Sequence, residues 1–469
     1  MENTNTSPET IQTPPPFQPP IQPPVPEKPT KIPKWPIIIL VVFLIFLGGS
    51  WILLFTFKPY LVDYFTPHIY ITPTTTTPAL PTTAPTIVIP TSTSSAYLAP
   101  AYNAFGFDIF KKLIAGEDKN ANIFISPESI ALAFSMVYNG AAGDTKNVIA
   151  WVFYLVGRDT TKINTESNKL IKNMQNPDPN VEIAIANSIW AAKQYTFNPD
   201  FLETNKKYYN AEIQSIDFTQ ESSLYTINSW VSNNTRNKIP KILDKLNPNL
   251  VMYLINAIYF NGTWTYEFDS KLTAEKPFTL DNGQIKNHPF MTMKREDFMY
   301  LENNDFQAIS LPYGKNKTLS MYIFLPKNQL DTFLTKLNLN NWKNWNLSFK
   351  EKEGTLLFPK FKIEYEKELV DTLTSMGMGI VFSEQANFSL MRSQRDLFIS
   401  EVIHKTYIDV NEKGTEAAAV TGIGIVSGSI ASDEEMPFYM EVNKPFFFAI
   451  VDNTSGEILF MGAIREPKL

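Results

Sequence analysis

The distribution of strand-like and helix-like segments along the chain constrains the fold most strongly. Upstream, apolar residues at helical spacing predict a helix over 102–113, and Ser126, Pro127 and Glu128 have the pattern of a helix start before 130–138. The second half holds four runs rich in β-branched and aromatic residues, the composition of buried strands. These runs are VMYLINAIYF at 251–260, LSMYIFLP at 319–326, TLLFPKFKIEY at 355–365 and PFFFAIVD at 445–452. Helices early and strands late indicate an α+β domain.

Composition argues against several classes of function. The chain has 469 residues, of which 44% are hydrophobic, so it can bury a large core. It contains no cysteine, and its three histidines, His68, His288 and His404, lack the spacing of metal ligands. We therefore expect neither a metal site nor a cofactor. A net charge of -6 without a run of Lys or Arg argues against a nucleic-acid partner.

The common catalytic motifs are also missing from the sequence. No G-x-S-x-G elbow, H-E-x-x-H pair, P-loop or dinucleotide fingerprint is present, and GIVSG at 424–428 has the wrong spacing for a nucleophile elbow. A membrane-anchored hydrolase is the alternative that these motifs would have supported. We therefore expect that the chain is not an enzyme.

The first 95 residues differ in composition from the rest. Residues 1–35 are crowded with Pro, Thr, Gln and Asn, and we expect a disordered tail. Residues 36–57 form a run of 22 residues without a charge, long enough for a transmembrane helix. A cleaved signal peptide is the alternative, but its apolar region is shorter and a small-residue cleavage site follows it closely. The Thr/Pro-rich residues 58–95 predict a stalk that leads to a folded domain at 96–469.

The charges beside the apolar run predict its orientation. Lys28, Lys31 and Lys34 precede the run, whereas Lys58 after it is partly offset by Asp63. Because basic residues remain on the cytoplasmic side of a membrane, we expect a cytoplasmic N-terminus and an extracytoplasmic or extracellular domain. The sequence thus predicts a single-pass membrane protein that contacts the membrane through residues 36–57.

A stretch of small residues at 408–431, IDVNEKGTEAAAVTGIGIVSGSIA, stands between two strand-like segments. If the chain is extended, every second residue from Thr415 faces one side, and that face is small first and apolar later. Such a pattern suits a strand that enters a tight place in a sheet with Glu416 outward. An ordinary surface loop rich in Ala and Gly fits the same pattern.

The octapeptide EKGTEAAA at 412–419 resembles the proximal hinge of the reactive-centre loop in the serpin family. Three further blocks resemble serpin segments and occur in the family's order. They are NIFISPESIALAFSMVYNGAAGDT at 122–145 (helix B region), INAIYFNGTW at 255–264 (a central-sheet strand) and VNKPFFFAIVDNTSGEILFMGAIREP at 442–467 (the C-terminal signature). Together they cover residues 100–467, about four fifths of the chain.

The resemblance implies the serpin fold: three β-sheets, about nine helices and an exposed reactive-centre loop, here preceded by the predicted transmembrane helix. It also implies a function. A protease cleaves the loop, the loop inserts into the central sheet, and the protease is trapped as an acyl-enzyme. We expect a serine-type endopeptidase inhibitor that acts as a monomer on a serine protease, with a cysteine protease as a second class of target. A non-inhibitory serpin-fold binding or chaperone-like module is the alternative.

The resemblance also assigns roles to individual residues. The hinge is Glu412, Lys413, Gly414, Thr415, Glu416, Ala417, Ala418 and Ala419. The shutter, where the central strands part, is Ser126, Ser129, Asn228, Asn256 and His404. At the entry point of the loop, called the breach, the matching residue is Trp264.

The position of the scissile bond follows from counting along the family's loop. With Glu412 as the seventeenth residue before the bond, cleavage falls between Gly428 and Ser429. The neighbouring bonds Val426–Ser427 and Ser427–Gly428 stay open as alternatives. All three present small residues and no Lys or Arg occurs over 415–432, which favours an elastase-like or subtilisin-like target.

Overall fold

The computed structural model describes residues 97–175, 177–415 and 436–469. Both predicted helices are present, and Ser126 caps the second by accepting a hydrogen bond from the Ser129 backbone N–H at 3.2 Å. The described residues form nine α-helices: α1 (Ala99–Gly116), α2 (Pro127–Gly140), α3 (Gly143–Val152), α4 (Thr160–Gln175), α5 (Pro199–Tyr209), α6 (Glu221–Asn234), α7 (Leu330–Leu334), α8 (Leu339–Asn346) and α9 (Val370–Leu373).

Apart from Val251, Lys360 and Pro445, the strand-like runs of the sequence lie in strands. The run at 355–365 belongs to two of them, which part after Pro359, a residue without an N–H for the ladder. The described strands are β1 (Ile123–Ile125), β2 (Val181–Ala192), β3 (Glu212–Ile216), β4 (Met252–Thr263), β5 (Ala274–Thr279), β6 (Ile285–Glu302), β7 (Phe306–Tyr313), β8 (Leu319–Pro326), β9 (Lys350–Pro359), β10 (Phe361–Glu368), β11 (Glu401–Asn411), β12 (Gly414–Thr415), β13 (Phe438–Glu441), β14 (Phe446–Asp452) and β15 (Glu457–Ile464).

One sheet has six strands in the order β10-β11-β12-β4-β2-β3. Its central strand β4 is buried on both faces, which explains why the segment is apolar throughout instead of alternating. Leu254 and Ile258 belong to the main core, on the side of α2, whereas Tyr253 and Ile255 pack with Ile227 of α6. This sheet therefore lies between two helical layers.

The remaining described strands form one hydrogen-bonded network of nine strands. Its order is β1-β15-β14-β8-β7-β6-β9-β13, and β5 pairs with β6. We expected three separate sheets, but β6 is 18 residues long and joins two of them. Its residues 285–290 pair with β5, 290–300 pair with β9 apart from a bulge, and Met299–Glu302 pair with β7. A single continuous strand therefore connects what the resemblance implied as two sheets.

The membrane prediction requires a correction. No helix within residues 97–175, 177–415 and 436–469 combines the length and the apolar composition that a membrane crossing needs. The longest of them, α1, has 18 residues and carries Asp108, Lys111 and Lys112. The predicted single-pass topology, with a cytoplasmic N-terminus and an extracytoplasmic domain, is therefore contradicted within the described residues. The segments predicted as tail (1–35), span (36–57) and stalk (58–95) lie outside the described residues.

Candidate functional site

The site is built around the junction between β4 and β11. Over 401–407 and 253–259 these two strands pair directly and run parallel. At their far ends the short strand β12 lies between them and is antiparallel to both: Thr415 pairs with Val410 on one side and with Gly262 on the other. The sheet is thus closed along most of the junction and already holds two residues of the predicted hinge at one end.

Thr415 is fully buried at this end of the sheet. Its hydroxyl lies 2.8 Å from the Tyr313 hydroxyl, and both side chains are shielded from solvent. Burial raises the pKa of Tyr313 well above its usual value, so the phenol remains neutral. The pair is therefore a neutral hydrogen bond in a dry site, where a charged side chain would lose its hydration without gaining a partner.

Gly414 is required by the geometry of β12. Its φ of +150° lies outside the range that other residues favour, and an added Cβ would lie 2.1 Å from the Gly262 carbonyl oxygen. Any side chain at this position would push the hinge out of the sheet.

Glu412 and Lys413 anchor the turn that leads into β12. Lys360 Nζ lies 2.9 Å from Oε2 of Glu412, and the Thr273 hydroxyl donates to Oε1 at 2.8 Å. Partial burial raises the pKa of Glu412, but these hydrogen bonds outweigh it and hold the pKa below its usual value. The backbone carbonyl of Lys413 accepts from the Trp264 N–H at 2.9 Å. The start of the hinge is therefore fixed from both sides.

Trp264 covers the end of the sheet where the hinge enters. Its ring stacks on Tyr313 with centroids 4.3 Å apart, and its indole N–H donates to the Asn411 carbonyl at 3.0 Å. The same tryptophan thus contacts β11, the hinge and the phenol that binds Thr415. Trp264 therefore lies at the end of the sheet beside the described part of the predicted hinge.

Four of the five predicted shutter residues meet at the centre of the closed junction. Ser126, Ser129, Asn256 and His404 are all buried. Asn256 of β4 donates through its amide to the Ser129 hydroxyl, and its side-chain oxygen binds Nδ1 of His404 on β11. Nε2 of His404 accepts from the Ser126 N–H at 3.2 Å. The cluster therefore ties both central strands to the first turn of α2.

The partners of His404 determine its protonation. The Asn256 oxygen can only accept, so Nδ1 carries the proton, while Nε2 accepts from Ser126. Burial lowers the pKa of His404 to about 3. The ring is therefore neutral at physiological pH and serves as a hydrogen-bonding link.

Asn228 does not join this cluster. On α6, its side chain binds the backbone of Ile242 and Leu243, donating to the Leu243 carbonyl at 2.9 Å. Asn187 of β2, which the sequence analysis missed, takes the place instead: it is buried and its side-chain oxygen accepts from the Asn256 amide. An asparagine in the middle of an apolar strand was the available signal, since buried polar residues need partners.

The remaining predicted site residues lie outside the described residues. These are Glu416, Ala417, Ala418 and Ala419 of the hinge, and Gly428 and Ser429 of the reactive bond, all within 416–435. The described chain resumes at Met436 and enters β13, which pairs in parallel with β9.

Comparison with known proteins identifies the family. The family model described as "Serpin (serine protease inhibitor)" matches residues 100–467. The chain belongs to the serpin family. Serpins are commonly inhibitors of serine proteases and are not themselves proteases, although some members are non-inhibitory.

Serpins from distant organisms resemble this one along most of its length. An "Uncharacterized serpin-like protein" of Methanosarcina mazei is 37% identical over 79% of this chain and 88% of its own. A "Leukocyte elastase inhibitor" of Xenopus tropicalis is 35% identical over 79% of this chain and 99% of its own. The crystal structure of the thermophilic serpin Tengpin in the native state has a TM-score of 0.69 and 31% identity, and covers 78% of this chain and 94% of that one.

Proposed function

We propose that this serpin inhibits serine proteases as a suicide substrate, by inserting its cleaved reactive-centre loop between β4 and β11. The observation that carries the proposal is the position of β12. Gly414 and Thr415 already lie between the ends of a parallel strand pair, antiparallel to both neighbours. A chain that continued along the same line would enter the junction at 401–407 and 253–259.

Insertion along this line would lower the free energy of the sheet. The junction now has one parallel ladder. A strand that followed Thr415 into the junction would replace this one parallel ladder with two antiparallel ladders. Two ladders hold more hydrogen bonds than one, and antiparallel pairing is slightly more stable per residue. Ala417 and Ala419 would share the buried face of Thr415, where small side chains fit between strands that are already covered on both sides. Insertion would thereby release energy stored in the uncleaved form.

In this proposal the cluster around His404 holds the sheet closed until the loop is cut. Separation of β4 from β11 breaks the Asn256–His404 hydrogen bond, because these residues are register partners across the junction. The network is buried, so its loss costs more than an exposed hydrogen bond would. The cluster therefore acts as a barrier to premature insertion.

The target class follows from the residues around the proposed bond. Gly428–Ser429 has small residues on both sides, and 415–432 contains no Lys or Arg. A protease with a small primary pocket, of the elastase or subtilisin type, would accept them, and one that requires a basic residue would not. The resemblance to a relative named leukocyte elastase inhibitor agrees with this class.

The test is to incubate the full chain with a pancreatic-type elastase and with subtilisin, and to analyse the products by denaturing gel and mass spectrometry. We expect a complex that survives denaturation and a released fragment that begins at Ser429 or within two residues of it. Cleavage of the same loop without a complex, across a panel of serine and cysteine proteases, would overturn the proposal and leave a non-inhibitory serpin.

A further inference from the structure

Two buried glutamates line a cavity away from the β4–β11 junction. The cavity has a volume of about 190 Å³ and lies between the start of α2, the end of α4 and the turn from β14 to β15. Glu128 and Glu457 are 0% and 1% exposed. Within the described part of the chain, neither carboxyl group has a hydrogen-bond partner.

Such groups are costly to bury without donors. A buried acceptor that lacks a partner loses the hydration it had in the unfolded chain, and a charged one loses more. Burial and repulsion from Asp452 raise the pKa of Glu457 to about 8, and burial with repulsion from Glu457 and Asp452 raises that of Glu128 well above the usual value. Because both unpartnered carboxyl groups line the same small cavity, one cation or one group with several hydrogen-bond donors could satisfy both.

The other residues that line the cavity limit the kinds of ligand that it can bind. Asp452 at the turn already accepts hydrogen bonds from the Thr454 N–H and the Ser455 hydroxyl. Asn173 and Thr454 are exposed at the rim, so a ligand can enter from solvent. The walls are apolar and consist of Leu170, Met174, Ile183, Leu319 and Leu459.

A primary ammonium on a short hydrocarbon chain matches these features better than a metal ion. An ammonium group supplies three N–H donors and a positive charge for the two carboxylates, and its hydrocarbon chain suits the apolar walls. A divalent metal ion prefers several oxygen ligands and retains water. Among the described residues, no group of three or more His, Cys, Asp or Glu side chains could hold a metal ion.

We propose that this cavity binds a small primary alkylammonium ion, with its nitrogen between Glu128 and Glu457 and its hydrocarbon chain against the apolar wall. The site does not depend on protease inhibition. Glu128 lies in the first turn of α2, between Ser126 and Ser129. Occupancy therefore joins this turn to β15 and stabilises the native state by binding it preferentially.

The experiment measures thermal unfolding of the full chain with n-butylammonium chloride, tetramethylammonium chloride or potassium chloride at equal ionic strength. A pH of about 9 keeps the alkylammonium charged and ionises Glu457. We expect butylammonium to raise Tm in a saturable manner. Tetramethylammonium has the charge but no N–H donor, so it is expected to act like potassium. This comparison uses the unaltered protein and does not depend on the folding of any variant.

Substitutions then locate the site. Glu457→Gln and Glu128→Gln each replace one carboxyl group of the site, and calorimetric titration is expected to show butylammonium affinity lower by on the order of tenfold. Glu166→Gln is the matched control, because Glu166 is also buried but is paired with Lys169 at 2.9 Å. Its affinity is expected to match that of the unaltered protein.

Three results would overturn the proposal. The first is an equal effect of butylammonium and tetramethylammonium on Tm. The second is butylammonium binding that persists at full strength in folded Glu457→Gln and Glu128→Gln. The third is saturable stabilisation by calcium chloride that exceeds that by butylammonium and depends on the same two glutamates, which would make the cavity a metal site.

Discussion

The hydroxyl oxygens of Thr415 and Tyr313 lie 2.8 Å apart in the interior of the protein, where the hinge enters the sheet. The threonine belongs to the two-residue strand between β4 and β11, and the tyrosine ends β7 in the other sheet. This hydrogen bond therefore links the predicted hinge to the body of the serpin.

Replacement of Thr415 is expected to separate cleavage from trapping. In Thr415→Arg a cation would have to enter a buried site where the hydrogen-bond partner of Thr415, the Tyr313 phenol, is neutral. Unpaired burial of a charge costs well over the 1.4 kcal/mol of a tenfold effect, so we expect about tenfold less denaturation-resistant complex. Thr415→Ser keeps the hydroxyl and serves as the control. Densitometry of complex and cleaved serpin at increasing protease ratios measures the outcome, and an unchanged yield in Thr415→Arg would contradict it.

Gly414→Ala is expected to destabilise the native state by about 1–3 kcal/mol. The added methyl group would lie 2.1 Å from the Gly262 carbonyl oxygen, and the backbone has a positive φ. Urea unfolding measures the difference. Gly116→Ala, at the end of α1, is the control because an added Cβ there has nothing within 4 Å. Equal effects of the two substitutions would show that β12 does not need a glycine.

Stability is expected to fall in acid because of His404. Its pKa is about 3 in the folded protein and about 6.5 when unfolded, so the unfolded state binds the proton first. The contribution is fully present above about pH 6.5 and is lost as the pH falls towards 3, by about 1.4 kcal/mol per unit. In His404→Gln the slope of the unfolding free energy against pH should decrease by the contribution of one proton. Unfolding free energies across this range test the prediction, and an unchanged slope would assign the acid sensitivity to other groups.

Glu457 is expected to have the opposite effect, because its contribution to stability decreases as the pH rises. Its folded pKa of about 8 lies above the ordinary value of 4.5, so the folded state retains the proton longer. The contribution is fully present below about pH 4.5 and is lost as the pH rises through 8. Glu457→Gln cannot ionise, and its stability should therefore fall less between these pH values. Denaturant unfolding of both proteins at several pH values provides the comparison, and parallel curves would contradict the prediction.

Double-mutant cycles can test the membership of the shutter. Asn187 and Asn256 share a buried hydrogen bond, so Asn187→Ala and Asn256→Ala are expected to couple by about 0.5–3 kcal/mol. Asn228 binds the backbone of 242–243 instead, and Asn228→Ala should add to Asn256→Ala within about 0.5 kcal/mol. A larger coupling for Asn228 than for Asn187 would restore the assignment made from the sequence.

Local patterns were sufficient for the class of the domain and for most of its elements. The helix start at Ser126 and the strand runs depend on residues near one another in the chain, and those predictions are confirmed. Motifs of contiguous residues such as EKGTEAAA led to the serpin family, which the family model confirms. The membrane prediction also used a local pattern, and it was the one that failed.

Tertiary structure decided which distant residues meet. His404 and Asn256 are 148 positions apart, and only the parallel register of β11 on β4 brings their side chains into contact. The antiparallel register of β2 on β4 places Asn187 opposite Asn256, whereas Asn228 lies on helix α6 and binds the backbone of 242–243. The amino-acid sequence by itself determined the fold class, the family and the hinge composition, because these depend on short-range spacing. The closed junction, the buried Thr415 and the Glu128–Glu457 cavity depend on how strands and helices pack, which no local pattern encodes.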